Sequence, residues 1–198
     1  MIAIAGLEIG VAERPYPGLE VSGDAVVVLP VDGGVLLCVT DGLGHGAQAH
    51  ATSALVKEIV AASGGDDLPA LMTGLHRRLL KDARGAVVGL ARLDARLRTA
   101  TWLGVGNIEM TILNREGPSG GGYCQAGIIG HNLPTLRPQI CPFGNGSLLV
   151  MYSDGLYAAC TDSLRSKDWT NASAQDLADS LLREFARPTD DATVIVVK

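Results

Sequence analysis

The sequence predicts an α+β fold in which helices pack on antiparallel sheets. Strand-like runs come first, two helices follow, then a block of strands, a helical region and one last strand. That order lacks the strict strand–helix alternation of a doubly wound parallel sheet. The run "LRTATWL" alternates, with Leu97, Thr99, Thr101 and Leu103 on one side and Arg98, Ala100 and Trp102 on the other. Such alternation suits a sheet with one packed and one wetter face. Hydrophobic residues make up 47% of the 198 and charged residues 19%, enough apolar chain to bury one core across a single domain, 1–198.

In chain order, strands are expected at 7–14, 24–31 and 34–40, where valine and isoleucine runs are bounded by Gly, Pro or Asp. Helical spacing follows at 49–63, with Ala51, Ala54, Leu55, Ile59 and Ala62 on the inward face. A second helix, 68–82, turns Leu68, Leu71, Met72, Leu75 and Leu79 inward. Strands return at 86–95, 97–106 and 108–116, and the segment 115–123, "REGPSGGGY", reads as a mobile loop. A strand at 146–153 precedes a helix at 173–187, which opens on the capping pair Ser173 and Asp176 and turns Leu177, Leu181 and Phe185 inward. The strand 192–198 closes the chain.

The net charge of -5, with acidic and basic residues interspersed, argues against nucleic acid as a partner, since backbone phosphates call for clustered Lys and Arg. The opening "MIAIAGLEIGVAERPYPG" lacks a signal-peptide pattern, and no apolar run is long enough to span a membrane. Cys38, Cys124, Cys141 and Cys160 are scattered without a Cys-x-x-Cys pair, which suggests reduced structural thiols and a cytoplasmic location.

Four acidic sites share one context, the end of an apolar strand. Asp24 opens "GDAVVVLP", Asp41 closes "VLLCVTDG", Asp154 closes "LLVMYSDG", and Asp190 and Asp191 open "DDATVIVV". A carboxylate beside a buried strand is costly unless it is hydrogen-bonded, paired or metal-bound. Any one could be a turn or a cap, because Asp-Gly is a common turn pair. Together, at one end of a sheet, they would repel each other and suit a hard divalent cation such as Mg2+ or Mn2+. Gly42 lets the backbone come close enough for its own carbonyl to serve as a ligand.

The stretches "VSGDAVVV", "VTDGLGHG", "MYSDGL" and "DDATVIVV", in this order, resemble the metal-dependent PPM (PP2C-type) protein serine/threonine phosphatases. Within these the chain looks most like the bacterial SpoIIE, RsbU and RsbX branch, and its short length is most similar to the RsbX type. The resemblance implies a PPM-type α-β-β-α sandwich, two mostly antiparallel sheets flanked by helices, with a two-metal centre (Mn2+ or Mg2+) at one end. Asp41 would bridge both metals, the Gly42 carbonyl would ligate one, Asp154 and Asp190 would complete the other, and Asp24 would bind or orient a metal water. Asp191, where the family often has asparagine, would support from behind, with the reverse assignment of the Asp190–Asp191 pair open. Such a pair of metals shares a water, lowers its pKa and aims it at phosphorus, with no covalent enzyme intermediate. Ser153 and Cys160 lack an evident base partner and read as structural. The implied substrates are phosphorylated STAS-domain proteins of a stressosome, acted on by a monomer that resets a stress response.

Two departures stand against the family pattern. The phosphate-gripping arginine has only Arg14 as a candidate, far upstream of Asp24, and Gly23 stands where some relatives place an acid. His45, inside "DGLGHG", either meets the phosphate or metal water as an acid or packs the turn, with Gly44 beside it. His131, in "GHNLP", is a possible substrate-loop contact, and His50 and His76 read as structural. Two rivals remain: a catalytically inactive PPM-like binding module, and a dinucleotide-binding domain in which Gly42, Gly44 and Ala47 form a relaxed G-x-G-x-x-A.

Overall fold

The structure is a computed structural model that describes residues 2–65, 67–82, 84–115, 119–166 and 168–198. Strands β1 (Ile2–Ile4), β2 (Leu7–Arg14), β3 (Asp24–Val31) and β4 (Gly34–Gly42) lead into helices α1 (Ala47–Ala62) and α2 (Leu68–Asp82). Then come β5 (Ala86–Asp94), β6 (Thr99–Val105), β7 (Glu109–Leu113), β8 (Gly120–Gly122), β9 (Cys124–Gln125), β10 (Gln139–Pro142) and β11 (Leu148–Tyr152). Helices α3 (Ala159–Ser166) and α4 (Ala174–Phe185) precede the last strand, β12 (Ala192–Val197).

One sheet runs β1-β2-β12-β11-β7-β8 and the other β10-β6-β5-β4-β3, with β9 added beside the end of β6. All pairings between these strands are antiparallel except β6 with β9. Both faces of each sheet are apolar because each has a layer on either side. Ile9, Val39, Trp102, Met110, Met151 and Ile195 fill the space between the sheets. Leu36, Val56, Met72, Leu75 and Leu90 fill the space under α1 and α2. Val150, Cys160, Leu177, Leu181 and Val194 do the same under α3 and α4. The layers therefore read α-β-β-α, the α+β architecture that the order of elements implied. The antiparallel β4–β5 pairing also removes the dinucleotide-binding alternative, which needs a helix linking parallel strands.

Helix α2 buries Leu68, Leu71, Met72, Leu75 and Leu79 as its spacing requires. Helix α4 starts at Ser173, whose hydroxyl accepts a hydrogen bond from the Asp176 amide at 3.0 Å, a cap contributing about 1 kcal/mol. Helix α1 departs from expectation by a rotation about its axis. It buries Ala49, Thr52, Ser53, Val56 and Val60, leaving Ala51 and Ala62 exposed and Ala54, Leu55 and Ile59 half-buried. The buried hydroxyls are no burden, because Thr52 donates to the Gln48 carbonyl and Ser53 to that of Gly23. Hydrophobicity alone misplaces a face whose polar groups are satisfied locally.

The loop expected over 115–123 is shorter than its composition suggests. Gly120–Gly122 pairs with β7 as a strand, and residues 116–118 lie outside the described residues. Glycine carries no strand propensity, yet a Cβ at Gly122 would lie 2.0 Å from the Trp102 ring, so only glycine lets this strand cross the indole.

Candidate active site

The sheets bring four strand ends to one place. Asp24 begins β3 and Asp41 lies next to the end of β4, and the two stand directly opposite each other in the antiparallel register. Like charges at opposed positions destabilise a sheet pair. From the other sheet, β11 ends just before Ser153 and Asp154, and β12 starts just after Asp190 and Asp191. The Ser153 hydroxyl donates to Asp24 Oδ2 at 2.6 Å and accepts from the Thr193 amide at 3.1 Å, tying the sheets together at the site.

Burial and mutual repulsion set the charge states. Burial pushes the Asp24 carboxyl up to about 7; the Ser153 donation opposes the rise, and Asp191 and Asp154 add to it. Asp41 is driven up to about 9, first by burial and then by Asp24, Asp154, Asp190 and Asp191. Asp190 is raised by burial and by Asp154, and it accepts a hydrogen bond from the Asp191 amide at 3.0 Å. Asp154 accepts from Asn107 Nδ2 at 2.7 Å. Asp191 is buried, and its Oδ1 accepts from the Tyr16 amide at 2.8 Å while its Oδ2 is buried with no hydrogen-bond partner.

This donor set fits a hard cation. It is oxygen-rich, it repels itself, and it holds an orphaned carboxylate oxygen. Among the described residues no group of three His, Cys, Asp or Glu side chains is set to hold one metal ion.

Two glycines let the backbone close up here. A Cβ at Gly42 would stand 2.4 Å from the Ala49 carbonyl oxygen of α1, and one at Gly155 would stand 1.7 Å from that of Asp191. Gly155→Ala is expected to push the Asp154 and Asp191 segments apart and to cost about 3 kcal/mol, measured by urea unfolding. An unchanged midpoint would show that the segments yield without cost.

The remaining candidates divide. His45 is exposed on the loop after Asp41, and its ring stacks on Tyr16 with centroids 5.1 Å apart. Gly44 is exposed beside it with φ 91°. His131 Nε2 is 2.6 Å from the Arg84 carbonyl, His50 Nδ1 is 2.9 Å from the Ser22 carbonyl, and His76 Nδ1 accepts from the Gly130 amide at 3.1 Å. Cys38 is buried and its thiol pushed up to about 12, and Cys160 is buried with its thiol at about 11, so neither is a ready nucleophile. Arg14, distant in sequence, reaches the edge of the cluster because β2 pairs with β12; its guanidinium donates to the carbonyls of Arg187 and Asp190. Sequence reasoning missed Asn107 and Tyr16 and read Ser153 only as structural. All three act through contacts with Asp154, Asp191 or Asp24 that no local pattern signals.

Comparisons with known proteins establish the family and the fold. The Stage II sporulation protein E (SpoIIE) family matches residues 31–198. The chain is 24% identical to the phosphoserine phosphatase RsbX of Bacillus subtilis (strain 168) over 179 residues, covering 90% of this chain and 88% of RsbX. Its fold matches a chain from a structure described as "The bacterial stressosome: a modular system that has been adapted to control secondary messenger signaling" with a TM-score of 0.89. That chain is 31% identical, with 97% of this chain and 99% of the other covered. A crystal structure of RsbX in complex with magnesium matches at a TM-score of 0.84 and 22% identity, covering 96% and 94% of the two chains. The chain belongs to the SpoIIE family and is a hydrolase of the PP2C-type serine/threonine phosphatase class.

Proposed function

We infer that the chain removes phosphate from phosphoserine or phosphothreonine in signalling proteins, using two divalent cations, Mn2+ or Mg2+, held by its strand-end aspartates. The observation that carries this reading is the opposition of Asp24 and Asp41 across β3 and β4, with Asp154, Asp190 and Asp191 adding charge from the other sheet. Asp41, the Gly42 carbonyl, Asp154 and Asp190 would hold the cations. Asp24, held by Ser153, orients water. Asp191, held by the Tyr16 amide, braces the turn that presents Asp190. The cations supply an acidified water and offset the charge of the phosphate when bound. To His45, exposed on the loop and stacked on Tyr16, we assign contact with the phosphate or its leaving group.

The substrates we assign are phosphorylated STAS-domain proteins of a stressosome, dephosphorylated in the cytoplasm by a monomeric single domain. The similarity to RsbX and to the stressosome chain supports this. A phosphorylated STAS-domain protein should release phosphate with Mn2+ or Mg2+ and release none in EDTA. Release that persists in EDTA would overturn the metal reading. No release under any metal, from this protein or from p-nitrophenyl phosphate, would favour the inactive binding module.

A further inference from the structure

Basic residues cluster at the C-terminal end of helix α2 and just beyond it. Arg77, Arg78, Lys81 and Arg84 are four of the chain's 16 Lys and Arg residues, in a protein of net charge -5. Arg77, Leu80 and Lys81 are spaced i, i+3 and i+4, so they share one helix face, opposite the buried Leu71, Leu75 and Leu79. Arg84 continues the stripe just beyond the helix. Leu80 is 56% exposed in the middle of it. Among the described residues Arg77, Lys81 and Arg84 make no ion pair.

Leu80 and Lys81 form a ridge between two hollows. One, of about 530 Å³, is walled by Gln48, Thr52 and Leu55 of α1 and ends at Arg84. The other, of about 540 Å³, runs along Gly74 and Arg77. Through Arg84, the first hollow borders the loop that follows Asp41. The Leu43 amide donates to the Gly85 carbonyl at 3.1 Å, and a Cβ at Gly44 would lie 3.3 Å from Arg84 Nη1. A cationic rim around an apolar ridge is therefore continuous with the loop that follows Asp41.

We propose that this α1–α2 surface is the docking site for the protein substrate, and that it selects substrates whose phosphorylated residue neighbours an acidic, amphipathic surface. The proposal rests on the phosphoprotein phosphatase reading above. Charge complementarity specifies the occupant: the rim is positive, the α1 residues named are neutral, and Leu80 offers an apolar anchor. A phosphate alone would need the cations but no exposed leucine. Because the contacts lie away from the aspartates, they act on substrate affinity and leave the chemical step alone.

The test uses two synthetic phosphoserine peptides that differ only in one flank, Leu-Glu-Glu-Leu-Glu against Leu-Ser-Ser-Leu-Ser. Wild-type protein is expected to prefer the acidic flank by about 10-fold in kcat/KM, through KM, and to lose the preference at about 0.5 M salt. The double variant Arg77→Glu, Lys81→Glu should abolish the preference with p-nitrophenyl phosphate turnover unchanged, and Leu80→Ala should weaken it. Binding of the fluorescein-labelled acidic peptide, without phosphate, reads docking independently of turnover. Equal handling of both flanks, or a preference that survives charge reversal, overturns the docking site. Binding to phosphatidylglycerol vesicles with no binding to the acidic peptide overturns it in favour of a membrane surface. Peptide docking without turnover of p-nitrophenyl phosphate would instead count against the phosphatase reading.

Discussion

Asp41→Ala is expected to lower p-nitrophenyl phosphate turnover by at least about 1,000-fold, a loss of about 4 kcal/mol in transition-state stabilisation. The same substitution should raise the melting temperature of the metal-free protein by about 2–8 °C, because it removes an unfavourable buried charge worth about 1–2 kcal/mol or removes its protonation requirement. The two effects have one cause. Asp41 is raised to about 9 by burial and by four neighbouring carboxylates, so without cations it is a cost to the fold. With cations, on the reading proposed above, it would become a ligand. Asp41→Asn, which keeps the shape, should behave similarly in both assays. A variant that loses activity and is also destabilised in EDTA would show that Asp41 is a structural residue. A variant that keeps activity would remove the two-metal mechanism.

Stability of the metal-free protein should fall as pH rises from about 5 to 9. Folding raises the Asp24 carboxyl to about 7 and the Asp41 carboxyl to about 9, so over this range the folded state binds more protons than the unfolded chain. Stability from these groups is complete below the ordinary carboxylate pKa of about 4 and is lost as pH passes through the raised values. Mn2+ should reverse the trend, because ligands must lose their protons to bind it. At a concentration about 100 times Kd it adds about 2.7 kcal/mol, or about 5–11 °C, with the larger gain above pH 7. Thermal melts in EDTA and in Mn2+ from pH 5 to 9 measure both slopes. A melting temperature that climbs with pH in EDTA would contradict the buried, mutually repelling arrangement.

The candidate aspartates were legible because each interrupts an apolar run at its end, a local signal that survives without any knowledge of the fold. Their convergence follows from the strands: antiparallel neighbours β3 and β4 put Asp24 opposite Asp41, and β11 and β12 deliver the rest from the second sheet. What was not legible depends on contacts across the chain. The Tyr16 amide reaches Asp191 over 175 positions of sequence, and Ser153 reaches Asp24 over 129. Arg14 seemed misplaced by its distance from Asp24, yet β2 carries it beside β12. Strands β8 and β9 escaped notice because one is three glycines and the other two residues long, and α3 has only eight residues in which to show a period. Helix α1 turned a different face inward because Thr52 and Ser53 bond carbonyls at the buried surface.

The pairing of β2 with β12 has a consequence for biogenesis. β2 is made long before its ladder partner β12, and the Asp190–Asp191 pair immediately precedes that partner. Until β12 leaves the ribosome, β2 exposes an unpaired edge carrying Ile9, Val11 and Ala12, and the cluster lacks two of its carboxylates. Closure over so long a separation is slow and must wait for β12 to be made. A nascent chain that stops short of β12 is therefore expected to lack turnover, because the ladder that holds β2 and the Asp190–Asp191 pair arrive together.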